Sequence, residues 1–165
     1  MHPPRGGSTL AGEVTNAMKI AIGCDEAAYQ LKELIKKYLQ ELHHEVEDFG
    51  TFDDRPVLYP DIAFAVAEKV AAGTFPRAIL LCGTGIGMAI CANKVPGVRA
   101  AQAHDTYSAE RARKSNDAQV LTMGARVVGP ELAKTIVKAW LDSEFEPARS
   151  APKVERIRAY ERSKR

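Results

Sequence analysis

The chain has 165 residues, enough for one well-buried domain and too few for two of ordinary size. Its 45% hydrophobic and 27% charged residues are typical of a soluble globular protein, and no apolar run approaches the roughly 20 residues that span a bilayer. The net charge of +2 conceals a basic end, since residues 149–165 hold seven of the 23 basic and two of the 21 acidic residues. No nucleic-acid recognition motif accompanies that charge, so a solvated helix face or a phosphate clamp is the simpler interpretation.

The N-terminal segment and the cysteines indicate how the chain is organised and where it works. Residues 1–17 are rich in Pro, Gly and Ser and lack the apolar core of a signal peptide. We predict a disordered extension there and a single folded domain over residues 18–165. Cys24, Cys82 and Cys91 are odd in number and show no C-x-x-C spacing. This argues against a disulfide framework or a metal site and favours a reducing compartment, so we expect a cytoplasmic protein.

Short apolar strands alternate with amphipathic helices along the rest of the chain. The strands are predicted at residues 19–24, 45–49, 77–82, 98–103 and 119–123. The helices are predicted at residues 29–42, 61–72, 88–95, 107–115, 130–141 and 152–162. This alternation predicts an α/β fold, a Rossmann-like three-layer sandwich with a five-stranded parallel sheet and helices on both faces.

The most informative stretch runs from Arg77 to Asn93 and reads R-A-I-L-L-C-G-T-G-I-G-M-A-I-C-A-N. A buried strand ends at Cys82, three glycines follow within five residues, and a helix begins. The glycines let the backbone approach a ligand closely, and the N–H groups and positive end of the helix point at a bound anion. The same helix end favours the thiolate form of a nearby cysteine. We therefore predict a site for chemistry on a small anionic molecule.

The spacing of this loop excludes several familiar phosphate-binding loops. Met88 stands where a dinucleotide fingerprint needs its third glycine and where a cysteine phosphatase needs its arginine. A P-loop needs Lys and Ser or Thr after its last glycine, and neither follows Gly87. A glycine cradle with a thiol and a hydroxyl remains. Its N–H groups suit a developing oxyanion such as an enediolate, and Cys82 suits general-base work.

Other polar residues also follow predicted strand ends. Asp25 follows the first strand, His104 the fourth, and the segment Gly124–Arg126 the fifth. Ligands of open parallel sheets bind outside the carboxyl ends of the strands. We expect these residues to lie with Cys82 on one edge of the sheet.

These blocks together resemble a known family. The sequence C-G-T-G-I-G-M-A-I-C-A-N-K, with G-C-D near the start, S-N-D-A at 115–118 and G-A-R-V-V-G at 124–129, resembles ribose-5-phosphate isomerase B and the related galactose-6-phosphate isomerases. The likeness covers about residues 18–162. It implies interconversion of an aldose phosphate and a ketose phosphate through a cis-enediolate, without metal or cofactor. It also implies a homodimer or tetramer with active sites shared between subunits, and neither nucleic acid nor membrane as a partner.

The resemblance also assigns roles to individual residues. Cys82 matches the base that moves a proton between C1 and C2, and Thr84 matches a hydroxyl that assists proton movement between the oxygens. Family members without this cysteine use a glutamate at the place of Met88, which cannot act as a base here. Asp25 matches a sugar-binding aspartate. The anion hole is assigned to three loop glycines, Gly83, Gly85 and Gly87.

Further matches belong to the sugar and phosphate contacts. Asn116 and Arg126 match residues that reach in from the partner subunit, the arginine toward phosphate. Arg149 matches another phosphate ligand, and Lys153 stands where the family has a second arginine. Lysine keeps the charge but loses the bidentate fork.

Two family histidines are missing, and this leaves the substrate open. Glu26 replaces one, and Ser115 replaces the other, which is assigned to opening the furanose ring. A four-carbon aldose 4-phosphate cannot close such a ring, so the enzyme could act on erythrose 4-phosphate and erythrulose 4-phosphate, a branch that A-H-D-T-Y-S-A-E-R at 103–111 also resembles. Alternatively, His104 supplies the missing acid and ribose 5-phosphate remains the substrate. We expect Glu26 and His104 to contact substrate in either case.

Two rival functions use the same fold. A non-catalytic module that binds a sugar phosphate would explain Ser115 and Glu26, but it would not need the thiol of the intact Cys82–Gly87 loop. A redox protein of flavodoxin-like build would be revealed by a bound flavin. Cys24 and Cys91 are predicted to be ordinary core thiols.

Overall fold

The chain folds around a five-stranded, wholly parallel β-sheet with the strand order β2-β1-β3-β5-β4. The computed structural model describes residues 16–165, so nearly all of the predicted extension at 1–17 lies outside the described residues. The strands are β1 (Lys19–Cys24), β2 (Glu45–Asp48), β3 (Arg77–Cys82), β4 (Ala100–Gln102) and β5 (Val120–Gly124). The predicted α/β class is confirmed.

Residues 16–165 form six α-helices, five of which pack on the two faces of the sheet. They are α1 (Tyr29–Glu41), α2 (Tyr59–Ala71), α3 (Ile86–Asn93), α4 (Thr106–Lys114), α5 (Pro130–Leu141) and α6 (Pro147–Arg162). Helices α2 and α3 pack on one face, and α1, α4 and α5 pack on the other. Among residues 16–165, none of the helices has the length and hydropathy needed to cross a membrane.

The central strand β3 is buried along its whole length, which explains its unbroken apolar run. Because side chains alternate across a strand, Ile79 and Leu81 face the α1 and α5 side. Leu80 and Cys82 face the α2 and α3 side. The thiol therefore points to the face covered by the helix that its own loop begins.

Some element boundaries differ from the sequence prediction. Helix α2 begins at Tyr59 rather than at residue 61, because Pro60 occupies its first turn, where its missing N–H costs nothing. Helix α6 likewise begins at Pro147 rather than at Pro152, which lies inside the helix. The predicted loop through Arg149 was therefore wrong: Arg149 lies in the first turn of α6. Strand β4 spans three residues instead of six.

The chain reverses its direction of winding between β1 and β3. From β1 it moves outward to β2 through α1, and from β3 it moves to the opposite edge, β4, through α3. Such a switch point opens a crevice at the carboxyl ends of the two central strands. Asp25 and Gly83 follow directly on these strands, so the fold places the predicted site in this crevice.

A fully buried lysine holds the segment after β2 against this crevice. Lys32 Nζ donates to both carboxylate oxygens of Asp48, at 2.9 and 2.8 Å, and to the Thr51 carbonyl. The N–H of Thr51 in turn donates to the carbonyl of Cys24 at 2.8 Å. Burial alone would raise the pKa of Asp48, but hydrogen bonds from Lys32 and Lys36 hold that pKa below its ordinary value.

We expect Asp48→Asn to lower the free energy of unfolding by about 3 kcal/mol, because it leaves the buried Lys32 with only the partly exposed carboxylate of Glu33, at 3.3 Å, as counter-charge. The matched control is Lys36→Met, which removes a partly exposed cation from the same carboxylate and should cost below about 1 kcal/mol. Urea denaturation of the purified variants measures both values. Equal losses of stability in the two variants would show that the buried contact between Lys32 and Asp48 is not the one that stabilises this segment.

The pH dependence of the same pair has a definite sign. Because the pKa of Asp48 is lowered in the folded state, its stabilising contribution is complete above the ordinary carboxyl pKa and is lost as the pH falls through the lowered value. The difference in stability between wild type and Asp48→Asn should therefore shrink at acidic pH.

Candidate active site

The predicted loop is a tight connection from β3 into α3. Cys82 ends β3 and is 5% exposed, and only residues 83–85 separate it from the first residue of α3. The N–H of Gly85 donates to the Cys82 sulfur at 3.1 Å. Gly85 adopts the left-handed conformation, with φ of 76°, which favours glycine. The loop thus aims a backbone donor and the positive end of α3 at the thiol.

The loop lies directly on the end of β5. A Cβ on Gly85 would stand 2.8 Å from the backbone carbon of Met123, and a Cβ on Gly124 would stand 2.5 Å from the Cα of Thr84. No side chain fits in either place, so both glycines are required by close backbone packing. Ala125 and Arg126 extend the contact, because their N–H groups donate to the carbonyls of Cys82 and Gly83 at 2.9 and 3.1 Å.

Asp25 lies beside this loop at the end of β1. Its N–H donates to the carbonyl of Leu81 at 3.1 Å, and its carboxylate accepts the N–H of Ala28 at 3.2 Å, which caps a short 3-10 helix over residues 26–28. Burial raises the pKa of Asp25, and the Ala28 hydrogen bond and the charge of Arg126 oppose that effect. The neighbouring Glu26 accepts the N–H of Val57 at 3.2 Å and so fastens the loop before α2.

Two further predicted residues, Arg126 and His104, also lie at the carboxyl ends of the strands. A Cβ on Gly83 would lie 3.4 Å from Arg126 Nη1, so the guanidinium covers its own chain's glycine loop. The resemblance assigns Arg126 to the partner subunit's site, and this stays a prediction; within its own chain the charge of Arg126 acts to lower the pKa of Asp25. His104 Nε2 accepts the N–H of Gly124 at 3.0 Å and braces the end of β5.

The remaining predicted site residues lie together in a second cleft of about 470 Å³. It is formed by the end of α4, with Ser115 and Asn116, and by the first turns of α6, with Arg149 and Lys153. Asn116 precedes β5, so this cleft lies at the amino ends of the strands. Cys82 lies at the carboxyl ends, on the order of 15 Å away along a five-residue strand. One chain therefore does not bring the two groups together.

The second cleft carries uncompensated positive charge. Arg149 and Lys153 are one helical turn apart and exposed, and neither forms an ion pair with a carboxylate of residues 16–165. Arg149 also lies at the positive end of α6. Two free cations at a helix N-terminus suit a doubly charged anion such as a phosphate ester.

Comparison with known proteins identifies the family of this chain. A family model described as Ribose/Galactose Isomerase matches residues 20–157. The chain belongs to this family. Its relatives include Ribose-5-P isomerase B of Listeria innocua, 58% identical over 84% of this chain and 93% of the relative. D-erythrulose-4-phosphate isomerase of Pectobacterium atrosepticum is also 58% identical, over 87% of this chain and 95% of the relative.

A solved structure agrees with both the family and the fold. The ribose-5-phosphate isomerase B of Clostridium thermocellum superposes with a TM-score of 0.88 at 46% identity, covering 90% of this chain and 100% of that one. The predicted membership of the isomerase family is confirmed.

The two other cysteines of this family member are in different surroundings from Cys82. Burial raises the pKa of Cys24 to about 12, although the charge of Lys32 opposes it. Burial also raises the pKa of Cys91. Both thiols are buried and therefore stay protonated near neutral pH. Within residues 16–165, no three His, Cys, Asp or Glu side chains cluster as metal ligands would.

Three residues around the loop were not identified from the sequence. A Cβ on Gly87 would stand 2.5 Å from the hydroxyl oxygen of Tyr59, so this phenol closes one side of the loop. Gln102 and Thr122 donate to loop carbonyls, at 2.7 and 2.8 Å. Thr122 could have been found, because a polar residue inside a buried strand needs a hydrogen-bond partner. No pattern marks the other two.

We expect Gly85→Ala to destabilise the protein more than Gly73→Ala, measured by urea denaturation. Both glycines have positive φ, at 76° and 80°, so each alanine bears the left-handed strain of about 1–2 kcal/mol. Only the Cβ at position 85 also meets backbone, whereas position 73 has nothing within 4 Å. Similar losses in the two variants would show that the loop does not depend on the close approach to β5.

Proposed function

We propose that this chain is a cofactor-independent aldose–ketose isomerase that acts on a small sugar phosphate, with Cys82 as the base. One observation carries the proposal: the Cys82 sulfur accepts the N–H of Gly85 at the mouth of a glycine loop that begins α3. Such a donor stabilises negative charge on sulfur without adding a competing acid. A module that only binds its ligand has no need of that arrangement.

The reaction needs no external oxidant or reductant. The Cys82 thiolate removes the proton from C2 of the aldose, and the electron pair moves into a C1–C2 double bond while the carbonyl oxygen becomes an enediolate oxygen. The same thiol returns the proton to C1, and the hydroxyl of Thr84 moves the second proton between the two oxygens. The N–H groups of Gly87 and Met88, in the first turn of α3, have no carbonyl partner within the helix, so they are available to the developing oxyanion.

The side chains around the thiol have distinct proposed tasks. Asp25 is placed to accept hydrogen bonds from sugar hydroxyls, and Arg126 neutralises charge next to the anion hole of Gly83, Gly85 and Gly87. Glu26 holds the loop at Val57 and closes the crevice. His104 braces Gly124 and thereby orients the end of β5.

We propose further that the active site is completed by a second copy of the chain. The Cys82 thiol lies at the carboxyl ends of the strands, whereas the cations Arg149 and Lys153 lie at the amino ends. A single chain cannot bring the thiol and the cations together. Ile86 and Ile90 lie one turn apart on α3 and are 52% and 54% exposed, so an apolar stripe leads away from the loop. A homodimer, alone or within a tetramer, would cover this stripe and bring Asn116, Arg149 and Lys153 of one protomer to the thiol of its partner.

A mixing experiment tests the shared site. Cys82→Ala and Arg149→Ala are each expected to be inactive as homodimers. After mixing and reassociation, half of the dimers carry both kinds of chain, and one of their two sites is intact, so about a quarter of wild-type activity should return. Mixing Cys82→Ala with Asp25→Ala should restore nothing, because both residues belong to the same half-site. Activity in neither mixture, or in both, would contradict the proposal.

The structure bears on which sugar phosphate is used. His104 uses Nε2 as an acceptor from Gly124, so this nitrogen has no proton to give to a ring oxygen. The hydroxyl of Ser115 accepts two hydrogen bonds from Arg111, at 3.1 and 2.7 Å, and a serine hydroxyl is a poor acid. Neither Nε2 of His104 nor the hydroxyl of Ser115 suits ring opening. These contacts favour the second candidate function, isomerisation of D-erythrulose 4-phosphate, over the ribose 5-phosphate type.

We expect purified protein to turn over D-erythrulose 4-phosphate with a kcat/KM at least tenfold above that for ribose 5-phosphate, because the four-carbon sugar needs no ring opening. Cys82→Ala should abolish both activities. Cys24→Ala is the matched control, since it removes another buried thiol next to Asp25 and should keep activity. Preference for ribose 5-phosphate would overturn the substrate assignment, and inactivity on both would overturn the enzyme.

The cysteines also support a compartment. Cys24, Cys82 and Cys91 are all free and buried, and a protein that uses a free thiol as its base works best where thiols stay reduced. We therefore place the enzyme in the cytoplasm.

A further inference from the structure

The peptide group between Thr84 and Gly85 is held from both ends. Its N–H belongs to Gly85 and donates to the Cys82 sulfur at 3.1 Å. Its carbonyl belongs to Thr84 and accepts a hydrogen bond from Gln102 Nε2, on β4, at 2.7 Å. In a trans peptide the C=O and N–H groups point in opposite directions, so fixing the carbonyl also fixes the direction of the donor.

The next peptide group repeats the arrangement. Its carbonyl, that of Gly85, accepts the hydroxyl of Thr122 at 2.8 Å, and Thr122 is fully buried on β5. Its N–H belongs to Ile86 and donates to the hydroxyl oxygen of Thr84 at 3.3 Å. The Gly85 carbonyl also accepts the N–H of Ala89 at 3.1 Å, so this second peptide has one more restraint than the first.

The orientation of the first peptide is not determined by backbone sterics alone. Glycine adopts positive and negative φ with similar ease, so a peptide that ends at Gly85 can turn over at little conformational cost. A turned peptide would present the Thr84 carbonyl, rather than the N–H, to the sulfur. That contact repels a thiolate.

We propose that Gln102 is a positioning residue for Cys82, and that Thr122 supports the same loop one peptide further on. Gln102 acts by holding the Thr84 carbonyl away from the sulfur, which keeps the Gly85 N–H directed at it. The catalytic consequence rests on the proposed role of Cys82 as the base. The effect of Gln102 on the Cys82 thiol itself does not depend on that proposed role.

The test compares Gln102→Leu, Thr122→Val and Thr122→Ser with wild type. Gln102 is exposed, so Gln102→Leu should fold normally. Thr122→Ser keeps the hydroxyl that Thr122→Val removes. The matched control is Gln119→Leu, because Gln119 likewise donates to a backbone carbonyl, that of Gly97 at 2.9 Å, at the opposite edge of the sheet.

The first measurement needs no substrate. The rate of Cys82 alkylation by iodoacetamide is followed against pH, with the modified peptide quantified by mass spectrometry. In Gln102→Leu the pH midpoint should rise by about one unit, the size expected for one lost hydrogen bond to a charged group. Thr122→Val should shift the pH midpoint less than Gln102→Leu does. In Thr122→Ser and in Gln119→Leu the midpoint should equal that of wild type.

The second measurement is steady-state isomerisation. Gln102→Leu should lower kcat about tenfold with a change in KM below about twofold, because the donor assists proton transfer rather than binding. An unchanged alkylation midpoint in Gln102→Leu would overturn the inference, even if kcat fell. A shifted midpoint in a protein whose wild type isomerises no sugar phosphate would overturn the proposed function and leave the positioning of the thiol intact.

Discussion

The contact between the glycine loop and the end of β5 is the constraint on which the site depends. Thr84 and Gly124 approach so closely that a single Cβ would not fit between them. This approach continues the pairing of β3 with β5 beyond the last strand residues, through the hydrogen bonds of Ala125 and Arg126. The loop is therefore an extension of the sheet rather than a free connection. Its N–H groups are therefore held as rigidly as the central strands. Electrostatic catalysis requires hydrogen-bond donors that are fixed in position before the reaction.

The distribution of charge follows from the same architecture. The carboxyl edge carries the thiol, Asp25 and Arg126, and its crevice lies at the switch point between β1 and β3. The amino edge carries the cations at the start of α6, which is tied to the sheet through Glu161 at the N–H of Gly97. A sugar phosphate has a reacting carbonyl at one end and a dianion at the other. The groups that suit the carbonyl and those that suit the dianion thus lie at opposite ends of the strands, and the proposed dimer would bring them together.

The sequence predicts the sheet, its helices and the central loop well, because hydrophobic periodicity and glycine spacing are local properties. It misplaced the start of α6, because proline suits a first helical turn and the prediction began the helix at Pro152, whereas the structure begins it at Pro147. Lys32 is a different case: among the charged residues of an amphipathic helix it reads as solvated, yet it is fully buried over Asp48. The contacts of Gln102 and Tyr59 depend on which strands and helices become neighbours. Such contacts are tertiary, and no local pattern encodes them.

The three thiols have different surroundings, and these differences separate the proposed base from the other two cysteines. All three are buried. Cys24 lies within β1, where burial raises its pKa to about 12 and its own backbone groups are engaged by Gly50 and Thr51. Cys91 lies on the core side of α3, and burial raises its pKa as well. Cys24 and Cys82 both end strands, but the Cys82 sulfur accepts the N–H of a glycine loop that begins an α-helix. In the proposed mechanism, the Thr84–Gly85 peptide, whose carbonyl is held from β4, makes Cys82 rather than Cys24 or Cys91 the base.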